Sequence, residues 1–389
     1  MRKIACFLFA TAVALFSGCA SDEPVPGAGE PAQDHTLIIY MMGDCGLETF
    51  LDANLSRIMS VIDRVPEGCH VALYYDRGNY ARLTELVVED GMTKQRLIQS
   101  YVPAKTSSVD PEFMAGVLDL VRQEFASESY GLILSSHGGG WVPSEEFDRY
   151  MARMQGGFLS EAEMRPNFFG QDGFDCMEIP DLVRALSGFS FDYILFDACF
   201  MSSVEALYDL RETADYIVAS PAEVLGAGFP YKEILPLLFR ADHGLVESCR
   251  AFMDFFRTTS GTIALVDCSK LDRLAQTFGP LLVAAEGRLV DATKIQAYEG
   301  FTTHLYFDLE QYAEALTADQ TLLAAFRAAL REAVVYTDHT PTFFTDYGVA
   351  GDVSLPRSCG VTCHVEQAAD PQIHEAFLET AWAKAVGAK

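Results

Sequence analysis

Basic residues are scarce in this chain. Its 389 residues hold 28 Lys and Arg against 55 Asp and Glu, a formal net charge of −27. A surface this acidic repels nucleic acid and favours cations or basic peptides, although solubility alone asks for nothing more. The sequence has no GxGxxG or GxxxxGK pattern, which removes support for the two common nucleotide cradles. It has no EF-hand spacing to mark a calcium loop. It has no internal repeat, so repeat architectures are set aside. The apolar run Ile4 to Phe16 is too short to span a bilayer.

What is there is a globular chain. Half of it is hydrophobic, and its length suffices for a large core or two lobes. Arg2 and Lys3 precede the run Ile4–Phe16, which reads as the apolar segment of an export signal. Leu15, Phe16, Ser17 and Gly18 then lead into Cys19, in the manner of a bacterial lipobox. Residues 1–18 are therefore expected as a lipoprotein signal peptide and Cys19 as the lipidated residue, with several acyl chains to anchor it. Residues 19–35, rich in Pro, Gly and Ala, are expected as a flexible tether. The localisation that follows is an exported lipoprotein at the outer membrane or cell surface, held to the membrane by its lipid anchor. An ordinary secretory leader with an incidental cysteine is the alternative.

Ten cysteines are present. An exported protein can hold disulfides, but spacing does not pair these. Cys359 to His364 has a faint look of a metal clip. No second pair matches it, so core thiols are the better reading and no metal ligand is assigned.

Short apolar runs alternate with helical patterns from His35 onward. His35–Met42, Val71–Tyr75, Tyr130–Ser136 and Phe191–Cys199 read as strands. Leu47–Arg64 reads as a helix on the spacing of Leu51, Leu55, Ile58 and Ile62. Asp110 and Pro111 look like the start of a second helix. Leu83–Val88 and Lys94–Gln99 fit a hairpin about Asp90-Gly91. Ser202–Asp215 reads as a helix, as does Pro371–Val386, with a strand at Gly360–Val365. Such alternation predicts an α/β fold with a mostly parallel sheet flanked by helices. The predicted division is a catalytic domain over 36–269 and a largely helical C-terminal subdomain over 270–389.

Two strand ends carry the chemistry. Cys199 closes a buried strand near a helix N-terminus, a place where open sheets bind ligands and where a thiol pKa is lowered. His137 closes another strand and precedes Gly138, Gly139 and Gly140. Glycines let backbone N–H groups come close to a ligand, and such groups suit the oxyanion of acyl transfer. A His at an adjacent strand end is a candidate base for a thiol nucleophile. Asp197 shares a face with Cys199 by the period of two. It either lines a pocket for a cationic group, or only caps the following helix or bonds local backbone.

The sequence resembles the clostripain-type cysteine peptidases, relatives of caspases. The matching stretches are Tyr40–Asp44, Ser136–Trp141, Phe196–Met201, Glu205, Ala214–Ser220, Gly226–Tyr231 and Tyr306–Leu309. The resemblance implies a caspase-like fold and a cysteine endopeptidase cutting protein or peptide substrates after Arg or Lys. His137 and Cys199 become the catalytic dyad, Asp197 the base of the specificity pocket, and the N–H groups of Gly138 and Cys199 the oxyanion donors. No cofactor is implied as a requirement; calcium serves some members and not others. The chain departs from relatives at Cys45, where Asn or Asp is common. Some relatives are activated by self-cleavage in the region corresponding to 141–178, and Arg149 and Arg153 are the expected cut sites here. Two other roles remain open to such a chain: a catalytically silent surface-binding lipoprotein of the same fold, or a hydrolase of non-peptide amides or esters.

Overall fold

The computed structural model describes residues 34–147, 149, 169–285, 288, 290–369 and 371–389. Cys19 and Arg153 lie outside the described residues. In chain order the first half runs β1 (His35–Met42), α1 (Glu48–Met59), β2 (His70–Asp76), β3 (Ala81–Glu89), β4 (Met92–Tyr101), α2 (Pro111–Glu124) and β5 (Ser129–Ser135). A small hairpin, β6 (Gln171–Asp172) and β7 (Asp175–Cys176), precedes α3 (Ile179–Leu186), β8 (Phe191–Asp197), α4 (Val204–Leu210) and β9 (Ala214–Ala219). Then come α5 (Tyr231–Leu238), α6 (Leu245–Phe256), β10 (Thr262–Asp267) and α7 (Leu271–Ala285). The chain continues with β11 (Phe307–Asp308), α8 (Leu309–Leu316), α9 (Gln320–Ala333), β12 (Val334–His339), β13 (Thr342–Thr345) and β14 (Gly351–Ser354). It closes with β15 (Thr362–Cys363), α10 (Pro371–Leu378) and α11 (Ala381–Val386).

Nine strands form one sheet in the order β12-β10-β9-β8-β5-β1-β2-β3-β4. The middle five, β9 to β2, are parallel, and both flanks are antiparallel. All of β1 is buried, as a strand covered on both faces must be. Its alternate residues feed two cores. Leu37, Ile39 and Met41 join α1, α5 and α6 on one face, whereas Ile38, Tyr40 and Met42 join α2, α3, α4 and α7 on the other. The chain leaves β1 for β2 on one side and returns to β5 on the other. This reversal opens a crevice at the carboxyl ends of the strands.

Several elements differ from the sequence reading. The helix expected over Ser202–Asp215 stops at Leu210, because Ala214 is already paired with Phe191 as a strand. The single helix expected over Pro371–Val386 is two, since Thr380 caps α11 by accepting the Ala383 N–H. The strand expected at Gly360–Val365 shrinks to β15, whose partner is the equally short β11. Residues from 270 onward also supply β12 to the central sheet. Their Trp382 packs on Phe278 and Tyr208 within the core that serves α2 and α3. No break in sheet or core falls at residue 269.

Candidate active site

The register of β5 and β8 sets the site. Ser135 pairs with Asp197, so His137 and Cys199, each two residues farther on, emerge side by side from neighbouring strands. Both line one cavity of about 640 Å³ at the carboxyl edge, with Asn54, Ser135, Asp197, Glu223, Val224, Asp346 and Tyr347 among its walls.

The His137 segment is clamped from two sides. Gly170 donates to the His137 carbonyl at 2.9 Å, and the Ser136 hydroxyl donates to the Met42 carbonyl at 3.2 Å while accepting the Gln171 N–H at 3.1 Å. The His137 Nε2–H donates to the Cys45 carbonyl at 3.2 Å. This bond uses the backbone of the position at which the chain departs from relatives. A proton held on Nε2 leaves Nδ1 as the basic nitrogen.

Two of the glycines that follow, Gly138 and Gly140, are required by contact. A Cβ on Gly138 would stand 2.5 Å from the Cys199 carbonyl oxygen and 3.1 Å from the Cys199 nitrogen. The two backbones therefore meet at a distance only glycine allows. Gly140 has a φ of 65°, and a Cβ there would meet the Phe200 carbonyl oxygen at 2.8 Å. Phe200 itself has a φ of 58°, a strained setting for a bulky residue. Its ring is stacked on Tyr306 at 4.5 Å, and the Tyr306 hydroxyl donates to the Gly139 carbonyl. The turn carrying the thiol and the turn carrying the imidazole are thus braced by one aromatic from the C-terminal part.

The thiol does not have the environment expected from its place. The Cys199 Sγ accepts the Val224 N–H at 3.3 Å and leans on the Val224 carbonyl at 3.8 Å. Burial pushes its pKa up, and the charges of Glu223 and Asp197 push it further. The expectation of a lowered thiol pKa is overturned. Cys199 precedes the Ser203 N-cap of α4 by four residues, too far for the helix terminus to offset desolvation.

Asp197 lies under the thiol on the same face and is 8 % exposed. Its Oδ2 accepts the Tyr231 hydroxyl at 2.7 Å and the Ser135 hydroxyl at 3.0 Å. Burial raises its pKa, opposed by those hydroxyls and by the charge of Arg57. Arg57 in turn donates to the Asn54 side-chain oxygen at 2.6 Å and to the Ala227 carbonyl at 2.8 Å. Asp197 thus lines the cavity and is also bonded by the Phe229 backbone.

Glu223 faces the thiol from the loop after β9. Its carboxylate accepts the Thr345 hydroxyl and the N–H groups of Asp346 and Tyr347, at 3.0 and 3.4 Å. These belong to the tip of the β13–β14 hairpin. Burial raises the Glu223 pKa to about 7 against these bonds. Arg149 is exposed, is absent from the cavity wall, and is ion-paired with Glu145 and Glu146.

Sequence reasoning missed Asn54, Ser135, Glu223, Asp346 and Tyr347 and gave Tyr231 no role. Two had a readable signal. Asn54 interrupts the apolar stripe Leu51, Leu55 and Ile58 of α1, and Ser135 shares a face with His137 by alternation. Asp346 and Tyr347 had none, because the hairpin that carries them folds back from more than a hundred residues away.

The Clostripain family model matches residues 39–325. Clostripain of Hathewaya histolytica is 28% identical over 131 residues, which are 32% of this chain and 23% of that protein's length. The inactive zymogen of a C11 protease from Parabacteroides distasonis superimposes with a TM-score of 0.79 at 28% identity, covering 91% of this chain and 98% of that one. A secreted C11 cysteine protease from Bacteroides thetaiotaomicron gives 0.78 at 26% identity over 91% and 99% of the two chains. The same kind of protease in complex with an irreversible peptide inhibitor gives 0.79 at 25% identity over the same shares.

Proposed function

Since the chain belongs to the clostripain family of cysteine peptidases, we propose that it is an endopeptidase cutting after Arg or Lys, with Cys199 as nucleophile and His137 as its acid–base partner. The observation that carries this reading is the single cavity in which His137, Cys199 and a buried Asp197 converge. A guanidinium or ammonium entering that cavity meets the Asp197 carboxylate, which supplies the charge partner a buried cation needs.

The steps follow from the arrangement. The Cys199 sulfur attacks the carbonyl carbon after the basic residue, and its proton passes to His137. The tetrahedral oxyanion is held by the N–H groups of Gly138 and Cys199, whose backbones the missing Cβ brings together. His137 then gives the proton to the departing amine, leaving a thioester on Cys199. Water, deprotonated by His137, attacks the thioester, releasing the new carboxyl terminus and restoring the thiol. The thiol starts protonated. A cation beside Asp197 and Glu223 lowers the local negative potential and eases its ionisation.

The proposal includes export, supported by the secreted relative and by the leader; labelled palmitate retained on the chain and lost in Cys19→Ser tests the lipid anchor. It also includes self-cleavage after Arg149 or Arg153; an active preparation that stays one uncut chain discards that part alone.

The test of the main reading is a set of matched peptides ending in Arg, Lys, Asp or Leu before the scissile bond. Wild type is expected to cut the Arg and Lys members, and Cys199→Ala none. Equal rates for the two proteins would remove the nucleophile assignment.

A further inference from the structure

The sheet edge opposite the cavity holds a second convergence of side chains. The amino ends of β1, β5 and β8 lie level there, His35 pairing with Ser129 and Gly131 with Tyr193. His35 is fully buried. Asp192 comes from the start of β8, and the turn between α5 and α6 brings in His243. Asp192 Oδ2 is 3.9 Å from His35 Nδ1 and 3.3 Å from His243 Nε2, and the two imidazole centroids are 5.0 Å apart. One ligand atom from each residue lies within 4.8 Å of the other two.

This cluster leaves polar atoms unspent. Asp192 Oδ2 and His243 Nδ1 are buried and make no hydrogen bond, which native cores rarely tolerate without a reason. His243 has a φ of 55°, a conformation that side chains avoid and that gathers at ligand clamps. It is held by its N–H to the Arg240 carbonyl at 2.9 Å, and the next residue, Gly244, donates to the Asp242 carboxylate at 3.2 Å.

We propose that His35, Asp192 and His243 form a site for a divalent transition-metal ion of the zinc class, which pins the α5–α6 turn to the amino edge of the sheet. Two imidazole nitrogens and one carboxylate oxygen suit that class, whereas calcium and magnesium take oxygen ligands. His35 Nδ1 faces Asp192 and exchanges its 2.6 Å partner, the Ser129 hydroxyl, for the ion. Its Nε2 keeps the Tyr193 hydroxyl, 3.3 Å away, as the outer partner that orients the ring. Three protein ligands leave a fourth position for water. The eight residues of β1 span roughly 23 Å at about 3.3 Å per residue, so an ion here serves structure and takes no part in peptide cleavage. The inference stands whether or not the peptidase reading does.

The test uses the full-length, metal-free chain carrying Cys199→Ala, which removes the site thiol as a competing ligand. Zn2+ and Co2+ are titrated by calorimetry and absorption, and the thermal midpoint is followed. The expected result is one ion per chain, a Co2+ spectrum with d–d bands and no thiolate charge-transfer band, and a midpoint raised by metal. His243→Ala, on the turn, is expected to weaken binding by at least about 100-fold, since even outer-shell changes cost 10–100-fold. Asp192→Asn provides the same readout from the strand side. Absence of binding, a thiolate band, or undiminished affinity in either variant would overturn the proposal and leave a His–Asp–His cluster that holds no ion.

Discussion

The Cys199 thiol rests against the Val224 backbone with two acids near it, and its reactivity should report that setting. Burial and the charge of Glu223 raise its pKa, so at neutral pH the free enzyme holds little thiolate. Alkylation by iodoacetamide, with no substrate present, is expected to rise about tenfold per pH unit through the neutral range, since rate follows the thiolate fraction. Glu223→Gln removes one negative neighbour and is expected to move this profile to lower pH. Because the Glu223 carboxyl titrates at about 7, the gain should be clear above that pH and fade below it. A pH-independent rate near neutrality would mean a preformed thiolate–imidazolium pair and contradict this account of the resting site. At this scale the sequence was legible where a single strand end decides the position, as for Cys199 and His137. It misled on the thiol pKa, which depends on how deeply the loop carrying Glu223 and Val224 covers the sulfur.

Among the elements, α4 and the C-terminal strand β15 hold the nucleophile's turn in place. Thr362 N–H donates to the Ser202 carbonyl at 2.9 Å, the Ser202 hydroxyl donates to the Gly360 carbonyl at 2.7 Å, and Glu205 on α4 accepts the His364 N–H at 2.7 Å. Glu205 is wholly buried, and burial raises its pKa to about 8 against the backbone N–H groups of His364 and of Glu205 itself, with the Asp209 charge adding to the rise. The folded protein therefore keeps a proton on Glu205 that the unfolded chain gives up near the ordinary carboxyl value. Stability from this group is complete below that ordinary value and is lost as pH rises to about 8, at up to about 1.4 kcal/mol per pH unit. Glu205→Gln retains the acceptor and is expected to flatten the fall of the thermal midpoint between about pH 5 and about pH 8. Parallel curves for variant and wild type would show that Glu205 titrates as an exposed carboxyl does. α2 was legible because burial of one face writes a period into the sequence, and β1 and β8 because a strand buried on both faces reads as a short unbroken apolar run. β11 was missed and β15 was read too long, since strands of two residues each have no period and gain their bounds only from a distant partner.

Across the whole molecule, the catalytic edge is assembled from segments far apart in the chain. The match to the family ends at residue 325, yet Asp346 and Tyr347 line the cavity and bond Glu223. The sheet order places β5 and β8 side by side and thereby His137 beside Cys199, which the alternation of strands and helices already implied. The remaining walls of the cavity, Glu223, Val224, Asp346 and Tyr347, came from loops whose placement no local pattern records. The account turns on the claim that Asp197, beneath the thiol, selects a basic residue. The most direct measurement is kcat/KM of wild type and Asp197→Asn on peptides alike except for Arg, Lys or Leu before the scissile bond. The account expects a strong Arg and Lys preference in wild type. In the variant it expects a loss of at least about 100-fold on those two, as for removal of one partner of a buried ion pair, with the Leu peptide changed far less. A wild type that prefers Leu, or a variant that keeps the Arg and Lys preference, would contradict it.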